Sequence, residues 1–291
     1  MKISVFIPTY NGRNRLIILL NKLKQQTVRN FEVHVLIDGS TDNTIDLNKQ
    51  FPEVHFHTYT NKGRAGIRNE ALRICKTDLI MFLDDDMIPE NNLIEKYQEY
   101  HLKEPDSIIV GNGFRNPDEA KTDFDKYLIK EELGWKEKRA ETFIITHDSY
   151  AFTSCNLSMP FSIFKSLGGF DIVLKDGEDF DFAMRALNAG VKMIYDRTLI
   201  AWHNDWPDLK KYIKRNSEYL KGKKALILKN PDYDRFLNYS TIEKSEFVFF
   251  KRIIMKILAD SALKENLLYK ISPLSLRFLS YRSAIYLYSK A

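Results

Sequence analysis

Residues 3–12 read ISVFIPTYNG: an apolar run of strand length, 3–7, that gives way at Pro8 to a polar turn. The same change recurs twice. FEVHVLI at 31–37 passes into Asp38-Gly39-Ser40-Thr41-Asp42, and LIMFL at 79–83 passes into Asp84-Asp85-Asp86. A fourth run, VHFHTY, occupies 54–59. Short runs rich in β-branched and aromatic residues predict strands. Between them, Leu16, Leu19, Leu20 and Leu23 fall on one face of a helix, and residues 65–76 give a second helical stretch that ends near Thr77-Asp78. Strand alternating with helix predicts an α/β fold with βαβ units and a mostly parallel sheet. Ligands bind such sheets beyond the carboxyl ends of the strands, where all three polar turns fall.

Farther along, the pattern predicts helices over 90–103 and 120–133, strands over 107–111 and 142–146, and a helix over 178–190 that stops at Gly190. A strand-like run, Leu199 to Trp202, precedes His203, and no convincing strand follows Asp208. The chain has 291 residues, 44% apolar and 29% charged, which suits one large α/β domain with an appendage. Two cysteines, Cys75 and Cys155, offer neither a disulfide framework nor a C-x-x-C zinc site. A reducing, cytoplasmic setting is expected, because Pro8 interrupts the first apolar run and no stretch reaches the ~18–20 apolar residues of a membrane span. Charge divides unevenly. Residues 207–291 hold 18 Lys/Arg against 8 Asp/Glu, whereas 1–206 hold 26 against 31. An acidic front and a basic rear predict separate jobs.

Asp84-Asp85-Asp86 delivers three adjacent carboxylates from a strand into a loop. They fit a hard divalent cation, Mn²⁺ or Mg²⁺, completed by substrate phosphates; they also fit a solvated acidic turn capping the helix near Pro89. Glu178-Asp179 enters a helix, where the dipole favours carboxylates and where one of them could instead be a general base. His203 is a metal-ligand candidate or a satisfied structural histidine.

In order, Pro8-Thr9-Tyr10-Asn11, Asp38-Gly39-Ser40-x-Asp42-x-Thr44, Asn61-x-Gly63, Ala65-x-x-Arg68-Asn69, Asp84-Asp85-Asp86, Gly168-Gly169-Phe170-Asp171, Glu178-Asp179 and Trp202-His203 resemble the family 2 glycosyltransferases of GT-A fold, over residues 2–206. The stretch from Gly168 to Gly190 also resembles the carboxyl-terminal half of galactosyltransferase-type catalytic domains. The resemblance implies a GT-A, Rossmann-like central sheet flanked by helices. It implies a catalytic domain over 1–206, with a nucleotide-binding half of about 1–105 and an acceptor half of about 106–206. Beyond it lies a basic helical extension, 207–291. It further implies a metal-dependent, inverting transfer from a nucleotide diphosphate-sugar, UDP-linked by the same resemblance, to a hydroxyl of a glycan or lipid-linked saccharide in surface polysaccharide or glycolipid synthesis. Pro8, Tyr10 and Asp38 would hold the base, and Arg68 would lie near the diphosphate, with Lys62 and Arg64 as alternatives. Asp84 would bond the ribose with Asp85 beside it, Asp86 and His203 would bind the metal, and Asp179 would be the base. Asp171 and Trp135 would shape the acceptor side.

A sugar-phosphate nucleotidyltransferase should open with a Gly-rich phosphate loop, and the first loop here has a single glycine, Gly12. A dehydrogenase lacks support because G-x-G-x-x-G is absent after the first strand. The rival of another class is a non-catalytic sugar-nucleotide or glycan-binding module on the same fold. No nucleic-acid motif marks the tail. Its Phe247, Phe250, Ile254, Ile257 and Leu258, and later Leu276, Leu279, Ile285, Leu287 and Tyr288, sit at helical spacing among Lys251, Arg252, Lys256, Arg277, Arg282 and Lys290. Those faces pack on the catalytic domain or a second subunit, or they lie on an anionic membrane surface.

Overall fold

The computed structural model describes residues 1–237 and 249–290. They form two compact units: Met1–Arg115 with Ala140–Asn204, and Asn116–Arg139 with the chain from Asp205 onward.

The first unit is a mixed α/β layer structure. Its strands are β1 (Ile3–Thr9), β2 (Phe31–Asp38), β3 (His55–Tyr59), β4 (Leu79–Leu83), β5 (Met87–Pro89), β6 (Ser107–Asn112), β7 (Thr142–Ile144), β8 (Asn156–Pro160) and β9 (Lys192–His203). They lie in the order β3-β2-β1-β4-β8-β6-β9-β5, with β7 also on β9. Strands β1 to β4 pair in parallel, β8 runs against both β4 and β6, and β6 and β9 are again parallel. Helices α1 (Arg13–Leu23), α2 (Gly63–Asn69), α3 (Ala71–Ile74) and α4 (Leu93–Lys103) follow the early strands. Leu16, Leu19, Leu20 and Leu23 of α1 are buried as their spacing predicts, each contributing roughly 1.5–3 kcal/mol. Strands β1 and β4 are apolar on both faces, as strands covered by helices on each side must be.

Two strands escape sequence reading. Strand β8, NLSMP, is wholly buried although it carries Asn156 and Ser158. Both are paid for by hydrogen bonds: Asn156 Nδ2 donates to the carbonyls of Asn112 (2.8 Å) and Leu199 (3.0 Å), and Ser158 Oγ to that of Ile80 (3.0 Å). Strand β5 is three residues long and exists because β9 offers it an edge, pairing Met87 with His203.

The second unit is helical throughout its described residues. Helix α5 (Asp123–Glu137) follows Thr122, whose side chain forms a capping box with Asp125. In chain order come α8 (Leu209–Lys229) and α9 (Asp234–Leu237), then α10 (Phe249–Lys264), α11 (Leu267–Ile271) and α12 (Leu274–Tyr288); α6 (Phe161–Ser166) and α7 (Glu178–Asn188) belong to the first unit. Phe124, Tyr127, Leu128, Ala262 and Tyr281 form the unit's main core, with Phe124 edge-on to Tyr281 at 5.0 Å. Ala259, Ser261, Ser280, Ser283 and Ala284 are buried small residues that let α10 and α12 lie close together. Of the tail positions singled out by spacing, Ile254, Ile257 and Leu279 are exposed, while Leu258, Leu276, Ile285, Leu287 and Tyr288 are half-buried. Phe247 and the side chains of Phe250, Lys251 and Arg252 lie outside the described residues. No helix among the described residues is long and apolar enough to cross a membrane.

Candidate active site

A cleft of about 370 Å³ opens in the first unit where β1, β2 and β4 end. Pro8, Tyr10, Asp38, Arg68 and the whole Asp84–Asp86 triplet line it, so seven expected residues from four separate segments converge there. Thr9, Arg15, Asn61, Gly63, Arg64 and Ile67 complete the lining. The first two loops are hooked together. Asn11, in the left-handed region at φ 49°, accepts from Thr41 N–H (2.8 Å), and its own N–H donates to Ser40 Oγ (2.9 Å). Gly39, at φ 75°, brings the backbone so close to Asn61 that a Cβ would sit 2.9 Å from its nitrogen.

Asp38 is buried and accepts from the N–H groups of Lys62 (2.6 Å) and Gly63 (3.1 Å). Burial raises its carboxyl above the usual range, opposed by those two N–H groups and the Lys62 charge. Two accepted bonds leave a carboxylate with acceptor capacity for a ligand N–H. Tyr10 stands exposed at the cleft.

The three aspartates meet three different fates. Asp84 Oδ1 accepts from buried Arg68 at 2.5 Å, while part of the carboxylate stays exposed. Asp85 turns inward, accepting from Thr9 Oγ1 (2.5 Å) and from Arg15 Nε (3.0 Å) and Nη2 (3.2 Å). Burial lifts its carboxyl to about 6 against these donors. Asp86 Oδ2 lies 3.3 Å from His203 Nε2. Burial alone would raise Asp86, but the His203 hydrogen bond and charge outweigh it and hold the carboxyl below its usual range.

The meeting of Asp86 with His203 follows from the β5–β9 ladder, since Met87 pairs with His203 and Asn204 N–H donates to the Asp86 carbonyl at 2.8 Å. Asp86 Oδ1 is buried without a hydrogen-bond partner, an expensive state for a carboxylate oxygen unless a ligand completes it. A carboxylate oxygen and an imidazole nitrogen are donors that a divalent cation accepts, so these residues fit the metal that the sequence suggests. Among the described residues no group of three or more His, Cys, Asp or Glu side chains stands ready to hold an ion.

Asp179 lies outside the cleft lining, in the first turn of α7, half-buried, with Oδ1 accepting from Phe180 N–H at 2.8 Å. Burial and the adjacent Glu178 charge raise its carboxyl to about 6, against the pull of that N–H and of Arg68. Glu178 is buried, 3.5 Å from Arg68. Arg68 therefore bridges the β4 exit and α7. Asp171 accepts from Val173 N–H at 2.9 Å in the loop before α7, and Trp135 lies on α5 in the second unit with the Arg139 guanidinium over its ring at 4.1 Å.

Arg15, Thr9 and the pairing role of Glu178 escape sequence reading. Arg15 lies in the first turn of α1, and only the fold reveals that Asp85 lies beneath it.

Comparison with known proteins fits this site. A family model described as glycosyl transferase family 2 matches residues 4–168. The pre-mycofactocin glycosyltransferase of Mycobacterium tuberculosis is 26% identical over 237 residues, covering 79% of this chain and 48% of the relative, so the chain spans about half that protein's length. The hyaluronan synthase of Pasteurella multocida is 26% identical over 263 residues, 86% of this chain and 26% of the synthase. Among solved structures, S. aureus TarS 1-349 in complex with UDP aligns with a TM-score of 0.57 at 16% identity, over 98% of this chain and 89% of that one. Mannosyltransferase PcManGT from Pyrobaculum calidifontis, in complex with GDP-Man and Mn²⁺, aligns at 0.60 and 14% identity, over 99% and 88%. The likeness to these two shows a shared GT-A fold. With more than half of its length matched by the family model, and its acidic strand exit opening on the cleft where the fold places ligands, the chain belongs to glycosyl transferase family 2.

Proposed function

We propose that this chain transfers a sugar from a nucleoside diphosphate-sugar, with uridine the preferred nucleoside, to an acceptor hydroxyl, inverting the anomeric carbon. The observation that carries the reading is Asp86: a buried carboxylate oxygen without a partner, beside His203, in a cleft that also holds Asp38 and Asp84. Solved structures of similar fold that hold UDP, UDP-GlcNAc, or GDP-Man with Mn²⁺ support the donor class.

In this reading Asp38 accepts from the base N–H beside the Tyr10 ring and Pro8, and the exposed part of Asp84 bonds the ribose with Asp85 fixed beneath. Asp86 and His203 would hold Mn²⁺ or Mg²⁺, which supplies charge neutralisation at the leaving diphosphate. Arg68 adds positive charge at the cleft wall. Asp179 takes the proton of the acceptor hydroxyl as that oxygen bonds to the anomeric carbon, and the electrons of the broken C–O bond leave with the nucleoside diphosphate. One displacement inverts the centre, as in one-step glycoside hydrolysis. The test is the anomeric configuration of the product by NMR. Inversion supports the reading, and retention refutes the mechanism.

The acceptor is read as a glycan or lipid-linked saccharide, in surface polysaccharide or glycolipid synthesis. The tail supports the lipid side: Leu267 and Ile271 are 73% and 72% exposed, with exposed Lys264 and Lys270 near them in sequence. Aliphatic side chains flanked by lysines suit an anionic membrane surface. Co-sedimentation of the full chain with anionic liposomes at low salt is expected, with loss in Leu267→Ser/Ile271→Ser; no binding at low salt would end the membrane reading.

A further inference from the structure

The sequence motif Arg68-Asn69 ends α2, and the proposed reaction uses only its first residue, as a charge. The structure gives both residues partners in other segments. Asn69 Nδ2 donates to the Phe170 carbonyl at 2.7 Å, and Asn69 Oδ1 accepts from the Phe170 N–H at 2.8 Å. One side-chain amide thus satisfies both backbone groups of a residue 101 positions away. The fit is close: Gly169, at φ 73°, leaves room in which an added Cβ would lie 2.4 Å from Asn69 Oδ1. Beside it, Arg68 is buried, with Nη2 on Asp84 at 2.5 Å and Nη1 3.5 Å from Glu178.

The far side of the same loop is fastened to α7. Arg185 Nη1 and Nη2 donate to the carbonyls of Leu167 (2.5 Å) and Gly169 (2.7 Å), while its Nε holds buried Asp181 at 2.8 Å. Loop 167–170 is therefore gripped from α2 by Asn69 and from α7 by Arg185. Arg68 ties the first residue of α7 to the exit of β4. Asp179 sits one residue past Glu178 and inherits that placement.

We propose that Arg68 and Asn69 act as a positioning clasp that sets the α7 carboxylates, Asp179 above all, at a fixed distance from the donor loop Asp84–Asp86. The pair works through other residues, and neither needs to touch the reacting atoms. A glutamine in place of Asn69 is one methylene too long for both bonds, and an aspartate cannot donate to the Phe170 carbonyl. Misplacement of a reacting group by about 1 Å can cost on the order of 10² in rate, whereas donor binding depends on other contacts.

The proposal rests on Asp179 as the base, and the experiment separates the two ideas. Purified Asn69→Asp, Asn69→Gln, Arg68→Lys and Arg68→Gln variants of the chain are assayed for UDP binding by titration calorimetry and for transfer across roughly pH 5–9. The clasp predicts that both Asn69 variants stay folded, with a lowered melting temperature from the lost Phe170 bonds, and keep UDP affinity near wild type while kcat falls about 10- to 100-fold. Arg68→Gln removes a cation that favours ionised Asp179, so its acid limb moves to higher pH, and Arg68→Lys returns the limb toward wild type. Asn69 variants with wild-type kcat, or with kcat/KM lost wholly through weaker UDP binding, would overturn the clasp. So would Arg68→Gln with an unmoved acid limb in an enzyme where Asp179→Asn is inactive. If Asp179→Asn itself keeps full turnover, the base assignment is what has failed, and the clasp as a device for Asp179 falls with it.

Discussion

Two acidic stretches are joined through Arg68: Asp84-Asp85-Asp86 at the exit of β4, and Glu178-Asp179 at the entry to α7. Their compositions are alike and their electrostatics differ. At the β4 exit, Arg68, Arg15 and His203 each face one aspartate, and Asp86 is held ionised. At α7 one cation serves the pair from the Glu178 side, and burial with a like charge lifts Asp179 to about 6. Burial opposes the charge of each carboxylate and partners offset it unevenly: Asp85 rises to about 6 even with Arg15 upon it, whereas Asp86 beside His203 is held below its usual range. A metal-binding carboxylate must remain ionised, and a base must be able to take a proton near neutral pH. The two ends are suited to those separate tasks.

The two ends part most sharply at Asp86. Asp86→Ala should lower transfer by about 10³-fold or more, since several kcal/mol of charge stabilisation are lost, with little change in melting temperature. Steady-state assays with added Mn²⁺ check it. Asp179→Asn should lose ~10² to 10⁴ in kcat while still binding UDP, and Glu178→Gln should lose less. If the glutamate variant is the more damaged, the base has been assigned to the wrong carboxylate.

The pH profile sharpens the contrast. Asp179 must be ionised to accept a proton, and its carboxyl titrates at about 6. Below that value kcat/KM should fall about tenfold per pH unit, and above it a plateau should follow. Glu178→Gln removes a charge that raises Asp179, so its acid limb should shift to lower pH. The smallest expected effect is on stability. A Cβ at Gly12 would lie 1.9 Å from Asp85 Oδ2 and 2.5 Å from Thr9 Oγ1. Gly12→Ala should therefore cost roughly 1–3 kcal/mol in urea denaturation by overpacking the Thr9–Asp85–Arg15 knot.

Legibility in the sequence tracks the kind of force involved. The apolar runs of β1, β2 and β4 and the leucine face of α1 announce themselves because burial imposes a period on the chain. Strand β8 does not, because hydrogen bonds to Asn156 and Ser158 replace apolar burial, and those partners come from segments distant in sequence. The convergence of Asp38, Arg68 and the aspartate triplet follows from the sheet rule. The inward turn of Asp85 onto Arg15 does not follow from any local spacing, nor does the Asn69–Phe170 bond across 101 residues. Charges separated widely along the chain are matched by the fold alone.

The role of the cleft is tested most directly by release of nucleoside diphosphate from a panel of nucleotide sugars by the purified chain, with added Mn²⁺ and again in excess chelator. The cleft chemistry predicts release from at least one donor, strongest among the uridine nucleotides, abolished by chelator and by Asp86→Ala. Undiminished release in chelator, or no release from any donor under any divalent cation and acceptor supplied, would contradict it.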